Sequence, residues 1–190
     1  GLRIGVLATG ATTRPAARGL EDAIGVLRQA GATIESVKLP EFSSAEMMFV
    51  LSAEAASAFD DFTRAGLARQ LDGQSAQDWA NTTSRAARYL PAVEYLRAMR
   101  LRTLLVDAMH AALAPFDALI TGPYQSDILG LTNLSGHPAI AVPAGMARGR
   151  SAPPIVTFIG RLDDDDHLLS IASAYQRATE WHRQRPPLDD

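Results

Sequence analysis

Leu131-Thr132-Asn133-Leu134-Ser135-Gly136-His137-Pro138-Ala139-Ile140-Ala141-Val142-Pro143-Ala144-Gly145 is the stretch on which the reading of this chain turns. Gly136 and Pro138 mark a sharp change of backbone direction. Ala139 to Val142 is a short alternating apolar run, read as a buried strand, and Pro143-Ala144-Gly145 is a second turn. A backbone that turns, runs briefly as a strand and turns again shapes the wall of a pocket. Before this stretch, Asp117 to Thr121 is predicted as a strand, followed by the loop Gly122-Pro123-Tyr124-Gln125-Ser126-Asp127. After it come a loop from Arg148 to Pro154, a strand from Ile155 to Ile159 and an amphipathic helix from about Asp165 to Arg183, ended by Pro186-Pro187.

The N-terminal part supplies a second block of the same kind. Arg3 to Leu7 is a buried strand, Pro15 opens a helix with an apolar stripe of Leu20, Ile24 and Leu27, and Ile34 to Leu39 returns as a strand after the helix stop Gly31. Strand, helix and strand with short connections make a βαβ unit with parallel strands. Between the blocks, Ser43 to Ala114 is a helical layer. Ser43 and Glu46 form a capping box for a long helix reaching about Arg69, with Met47, Leu51, Ala55, Ala58, Phe59 and Phe62 on one stripe. Ser75 and Asp78 cap a second helix to about Tyr89, and Pro91 starts a third with Leu96, Met99, Leu104, Ala108 and Leu113 on one side. Strands before and after a helical block give an α/β fold: a mixed, mostly buried sheet covered by helices, in one domain spanning residues 1–190.

With 190 residues, 47% of them apolar and 21% charged, the composition is that of a globular chain. No apolar run approaches the roughly 20 residues of a membrane span, so no membrane partner is expected. A net charge of −3 argues against nucleic acid as the main partner. On a helix Arg97 and Arg100 share a face and Arg102 turns away, which reads as a solvated surface. The absence of cysteine excludes a disulfide framework, a thiol nucleophile and thiolate metal ligation, and fits a cytoplasmic home. The opening Gly1-Leu2-Arg3-Ile4-Gly5-Val6 has no initiator Met and enters a strand at once, so a processed chain or a piece of something longer is expected.

The residues that invite a catalytic reading each have a plainer one. Ser43 and Ser44, with Lys38, the chain's one lysine, have the residue types of a Ser–Ser–Lys hydrolase. No glycine lies between Gly31 and Gly66 to build the tight, amide-lined loop that such a nucleophile needs, and the serines stand where a helix cap belongs. Lys38 alternates between Val37 and Leu39 and is expected to face solvent. The histidines His110, His137, His167 and His182 have no paired ligand spacing, so no metal is expected. Ser135 and His137 are too close in sequence to address one carbonyl, and Pro138 blocks the helix start of a nucleophile elbow, so both are read as bystanders and His137 as a polar loop residue. Asp163 to Asp166 reads as the acidic start of the last helix. The loop Ala8 to Arg14 has only Gly10 and no phosphate cradle exists, so no cofactor is expected.

The order of these pieces resembles the amidase signature family. The carriers are Leu2-Arg3-Ile4-Gly5-Val6-Leu7, Ala30-Gly31-Ala32 with Val37-Lys38-Leu39-Pro40, Glu54-Ala55, Phe116-Asp117-Ala118-Leu119-Ile120-Thr121-Gly122-Pro123, Ile155 to Gly160 and Leu168-Leu169. The most specific is Asn133 with Gly136-x-Pro138-Ala139 and Pro143-x-Gly145. The resemblance implies part of an α/β/α amidase signature fold, specifically its C-terminal half, and a parent enzyme that hydrolyses or transfers acyl groups at carbon–nitrogen amide bonds through a Ser–cis-Ser–Lys triad. It implies that the triad lies upstream of Gly1, so no catalytic residue is carried over. What it carries over is scaffold, with Asn133, Gly136, Pro138, Pro143 and Gly145 as shape-setting positions near the pocket, and the substrate-binding candidates of the pocket wall are Pro123, Tyr124, Gln125, Asn133, Gly136 and Pro138. Gly122-Pro123-Tyr124-Gln125-Ser126-Asp127 departs from the family's Pro-Thr-x-Pro form, which leaves the substrate unassigned.

The partners expected on this reading are an N-terminal catalytic half of the same protein and a small-molecule amide. An open sheet edge would also promote self-association. The alternative is a non-catalytic binding or partner-interaction module that reuses the half-fold.

Overall fold

Arg3–Leu7, buried at Ile4, Gly5 and Leu7, forms β1, and the computed structural model pairs it in parallel with both β2 (Thr33–Val37) and β3 (Ala118–Thr121). The structure describes residues 1–7, 14–43, 47–71, 86–123, 126–146 and 153–184. They gather into two compact units, Gly1–Glu41 with Leu105–Asp190, and Phe42–Leu104.

The first unit holds the sheet, in the order β2-β1-β3-β5-β4. Ile155–Ile159 forms β5 and runs antiparallel to β3, and Ala139–Pro143 forms β4 and runs antiparallel to β5. The sheet is therefore mixed, as the strand–helix–strand order predicts. α1 (Arg14–Gln29) and α6 (Asp165–Thr179) cover one face. Their Ala23, Leu27, Leu168, Ile171, Ala172 and Tyr175 close on Ile4, Ala118, Ile120, Val142, Val156 and Phe158. Phe158 meets Tyr175 edge-on, with ring centroids 5.6 Å apart. The opposite face presents Gly5, Leu119, Thr121, Thr157 and Ile159. A Cβ at Gly5 would lie 2.6 Å from Leu119 and 3.2 Å from Phe116, so glycine is what lets these large side chains fill the space over β1.

One expectation about the sheet changes. The Ala139 strand is not buried: it pairs with β5 alone among the described residues, and Ala139 and Ala141 are exposed while Val142 is covered. Its composition is apolar because one face packs on the core, whereas the other face and the outer edge do not. A helix that the sequence reading missed, α5 (Ser126–Ser135), precedes it. Ile128, Leu131 and Leu134 recur at helical spacing and are buried, a period hidden by the turn-forming residues on either side.

In the second unit the long helix expected to reach Arg69 is broken. α2 (Phe49–Ala58) stops at Phe59 (φ −101°, ψ 22°), and α3 (Asp60–Arg64) and a 3-10 turn at Leu67–Gln70 follow. Its buried residues are Val50 and Ala56, with Leu51 and Phe59 exposed. The capping box needs Glu46, and the helix start at Ser75 and Asp78 also lies outside the described residues. α4 (Ala92–Leu113) belongs to the second unit up to Leu104 and to the first from Leu105. Its buried face is Ala98, Leu105, Met109 and Leu113, and the predicted stripe residues Leu96 and Leu104 are exposed.

Candidate functional site

The hallmark stretch begins at the C-terminal end of α5. Gly136 takes φ +81°, a left-handed conformation that glycine adopts without a Cβ clash, and its N–H donates to the Thr132 carbonyl at 2.8 Å. That turn brings Ser135 Oγ to 2.9 Å from His137 Nδ1, with both residues only 4% exposed. Two side chains expected to be separate bystanders therefore meet, and His137 is a buried residue rather than a polar loop one. The pair still has no elbow: Ser135 is the last residue of a helix, not the first after a strand. Thr132 anchors the same turn through its hydroxyl, which donates to the Ile128 and Leu129 carbonyls at 3.1 and 3.2 Å.

Burial pushes the His137 imidazole below the ordinary histidine range, and the charge of His110 on α4 adds to this. Its Nε2 has no hydrogen-bond partner among the described residues. The hydroxyls of Thr121 and Thr157 are in the same condition. They face each other directly across β3 and β5, on the face away from α1 and α6.

The register places the candidate residues in two groups. Ala139 is level with Ile159 and Leu119, and Ala141 with Thr157 and Thr121, so β4 runs parallel to β3. Gly136 and Pro138 therefore stand at the end of the sheet where β3 begins, and the Pro138 carbonyl accepts from Gly160 N–H at 2.9 Å. Pro123, partly buried, stands past the opposite end, the end at which β4 finishes two strands away. Asn133 is exposed on α5 between the two. Tyr124 and Gln125 lie outside the described residues. Open α/β sheets place ligands beyond the carboxyl ends of their strands, which is the Pro123 end.

The other polar groups have structural employment. Asp117 receives the Arg3 N–H at 2.7 Å, ion-pairs with Arg161 at 3.8 Å and lies 3.7 Å from His167 Nε2, which brings β1, β3 and α6 together. Lys38 is exposed just past β2, as its alternation predicts. Among the described residues no group of three or more His, Asp or Glu converges as metal ligands, and no helix is long and apolar enough to cross a membrane.

No protein-family model matches the chain. It is 31% identical over 207 residues to a glutamyl-tRNA(Gln) amidotransferase subunit of Roseiflexus sp. (strain RS-1), a match spanning 87% of this chain and 42% of that protein. The structure superposes on the native peptide amidase of Stenotrophomonas maltophilia with a TM-score of 0.77 at 26% identity, over 100% of this chain and 45% of that one. The chain belongs to the amidase signature family. A bacterial aryl acylamidase of the same amidase signature family shares the fold, with a TM-score of 0.74 at 20% identity over 98% of this chain and 46% of that one. The chain thus spans less than half the length of the amidase signature proteins it matches, and the matches fit a C-terminal fragment of such a protein.

Proposed function

We propose that this chain is the C-terminal portion of an amidase signature enzyme acting on carbon–nitrogen amide bonds, and that it forms a wall of the acyl site without carrying the nucleophile. The observation that carries this is the match over 87–100% of this chain but only 42–46% of each relative. The residues present support the division of labour. Ser135 is sealed at a helix C-terminus beside His137, and Lys38 is exposed past a sheet edge, so neither forms part of a nucleophile and base facing one open site.

The wall we propose comprises Pro123, Tyr124 and Gln125 after β3, with Asn133, Gly136 and Pro138 setting the path of α5 into β4. Its substrate is a small-molecule amide. The partner is an N-terminal half that supplies a Ser–cis-Ser–Lys triad, and the whole chain is read as one domain of that protein in the cytoplasm, the compartment its cysteine-free composition suits. β4, with its outer edge unpaired among the described residues, is the surface through which the isolated chain self-associates.

Two measurements test this. The purified chain should leave benzamide and acetamide unhydrolysed; turnover that disappears in Ser43→Ala would overturn the assignment. Extending the reading frame upstream of Gly1 should reveal a glycine- and serine-rich segment preceded by a lysine. A frame that starts near Gly1 would instead favour a stand-alone binding module.

A further inference from the structure

The second unit carries two adjoining open surface depressions, of about 400 and about 570 Å³, which share Ala53, Ser57 and Ala87. Both lie in the size range of small-molecule sites. One end is bounded by Asp60, Arg64 and Arg88, and the other by Glu54, Leu90 and Tyr95. Between them the floor is made of alanines, so the groove stays open where larger side chains would fill it.

The charged end has a specific imbalance. Asp60 accepts from Arg64 Nε at 2.6 Å and also from Arg88 Nη2, so two guanidinium groups share one carboxylate. Among the described residues at this end of the groove one positive charge is left over, and each guanidinium keeps N–H groups that Asp60 does not use. The Arg64 and Arg88 hydrogen bonds hold the Asp60 carboxyl below its usual range, and Asp60 raises Arg64 in turn, with Asp61 the smallest contributor. At the far end Tyr95 donates to Glu54 at 3.2 Å, and its phenol is raised by burial and then by that carboxylate. The displaced ionisation of Asp60 and Arg64 is thus what their own ion pair produces, and what marks a site is the shape of the groove and the sharing of one carboxylate by two guanidinium groups.

We propose that this groove binds a small monocarboxylate, its anionic head on the N–H groups of Arg64 and Arg88 that Asp60 does not use and its apolar body along Ala53, Ala87 and Leu90. The planar fork of a guanidinium matches a carboxylate. A single surplus charge suits a monoanion better than a phosphate dianion, and Glu54 repels a second negative group at the far end. This assignment concerns the second unit alone and stands whether or not the chain is part of an amidase.

The test is calorimetric titration of the chain with 4-phenylbutyrate, its neutral isostere 4-phenylbutyramide and inorganic phosphate. The carboxylate should bind in the millimolar range or tighter, and the amide and phosphate each about tenfold more weakly, as expected for losing a charge-assisted contact. Arg88→Gln should weaken the carboxylate about tenfold. Ala53→Leu, which fills the groove and leaves every charge in place, should weaken it as much without lowering the thermal midpoint. If Arg88→Gln fails to fold, Arg64→Gln, whose side chain is 70% exposed, gives the same reading. Absence of carboxylate binding up to about 10 mM overturns the proposal. So does equal affinity for the amide, tighter binding of phosphate, or undiminished affinity in the Ala53→Leu chain.

Discussion

Thr157→Val should make this protein more stable, although it deletes a hydrogen-bonding group. Thr157 is 1% exposed and its hydroxyl has no partner among the described residues. In the unfolded chain water solvates that hydroxyl, so folding strips it without replacement, at a cost of about 1–3 kcal/mol. Valine keeps the β-branched shape that suits a strand and puts a methyl where the hydroxyl was. The expected gain is therefore about 1–2 kcal/mol, allowing for imperfect accommodation of the larger group, or about 2–4 °C of thermal midpoint per kcal/mol for a chain of this size. Thr121 lies directly opposite, 0% exposed and equally unpartnered. Thr121→Val should stabilise in the same direction, and the double variant should depart from the sum because the two sites touch. Urea unfolding followed by circular dichroism reads both. A Thr157→Val chain less stable than the parent by more than about 0.5 kcal/mol would refute the reasoning and show that the hydroxyl is satisfied.

Three further outcomes follow from other residues. The folded-state pKa of His137 is depressed, so the unfolded imidazole takes up a proton first as pH falls below about 6.5; stability should drop through that range, and His137→Gln should flatten the urea midpoint between pH 7.5 and 5. Burial pushes the Tyr175 phenol up to about 12, with Asp22 adding to the effect. The unfolded phenol ionises near 10, so stability contributed by Tyr175 should fall as pH rises from about 10 towards 12, and Tyr175→Phe should remove that dependence in alkaline unfolding. Gly136→Ala puts a Cβ on a residue at φ +81°, where the nearest side-chain contact is Leu162 at 3.7 Å, so the penalty is one of backbone conformation and not of crowding. It should cost about 1–2 kcal/mol in thermal or urea unfolding, and an unchanged midpoint would mean that the α5–β4 turn does not hold this conformation.

Much of the fold is written in local pattern. Short apolar runs located β1, β3 and β5, Gly31 marked the stop of α1 and Gly136 a turn, and the strand–helix–strand order implied the parallel pairing of β1 with β2. The order of motifs was enough to point to the amidase signature family, because each motif reports a turn or close approach that one residue type serves best. Placement on the tertiary scaffold was not legible in the same way. Leu96 and Leu104 repeat along α4 as regularly as Leu105 and Met109 do, and periodicity does not choose which stripe faces a sheet. The apolar run Ala139 to Val142 could have been central or at an edge, since strand order is set by partners distant in sequence. Pro123 and Pro138 sit close along the chain yet at opposite ends of the strands, because α5 carries the backbone back along the sheet.

The side-chain meetings depend on that three-dimensional path. Ser135 reaches His137 because Gly136 turns left-handed between them. Arg64 and Arg88 converge on Asp60 although twenty-eight residues separate Asp60 from Arg88. The sequence by itself determined which segments turn, which alternate and to which family their order belongs, since those are properties of short-range sterics and hydrophobic period. The tertiary structure alone decided which hydroxyls are stranded, which leucines meet water and which charges share a groove, because burial and pairing arise only when distant segments exclude water from one another.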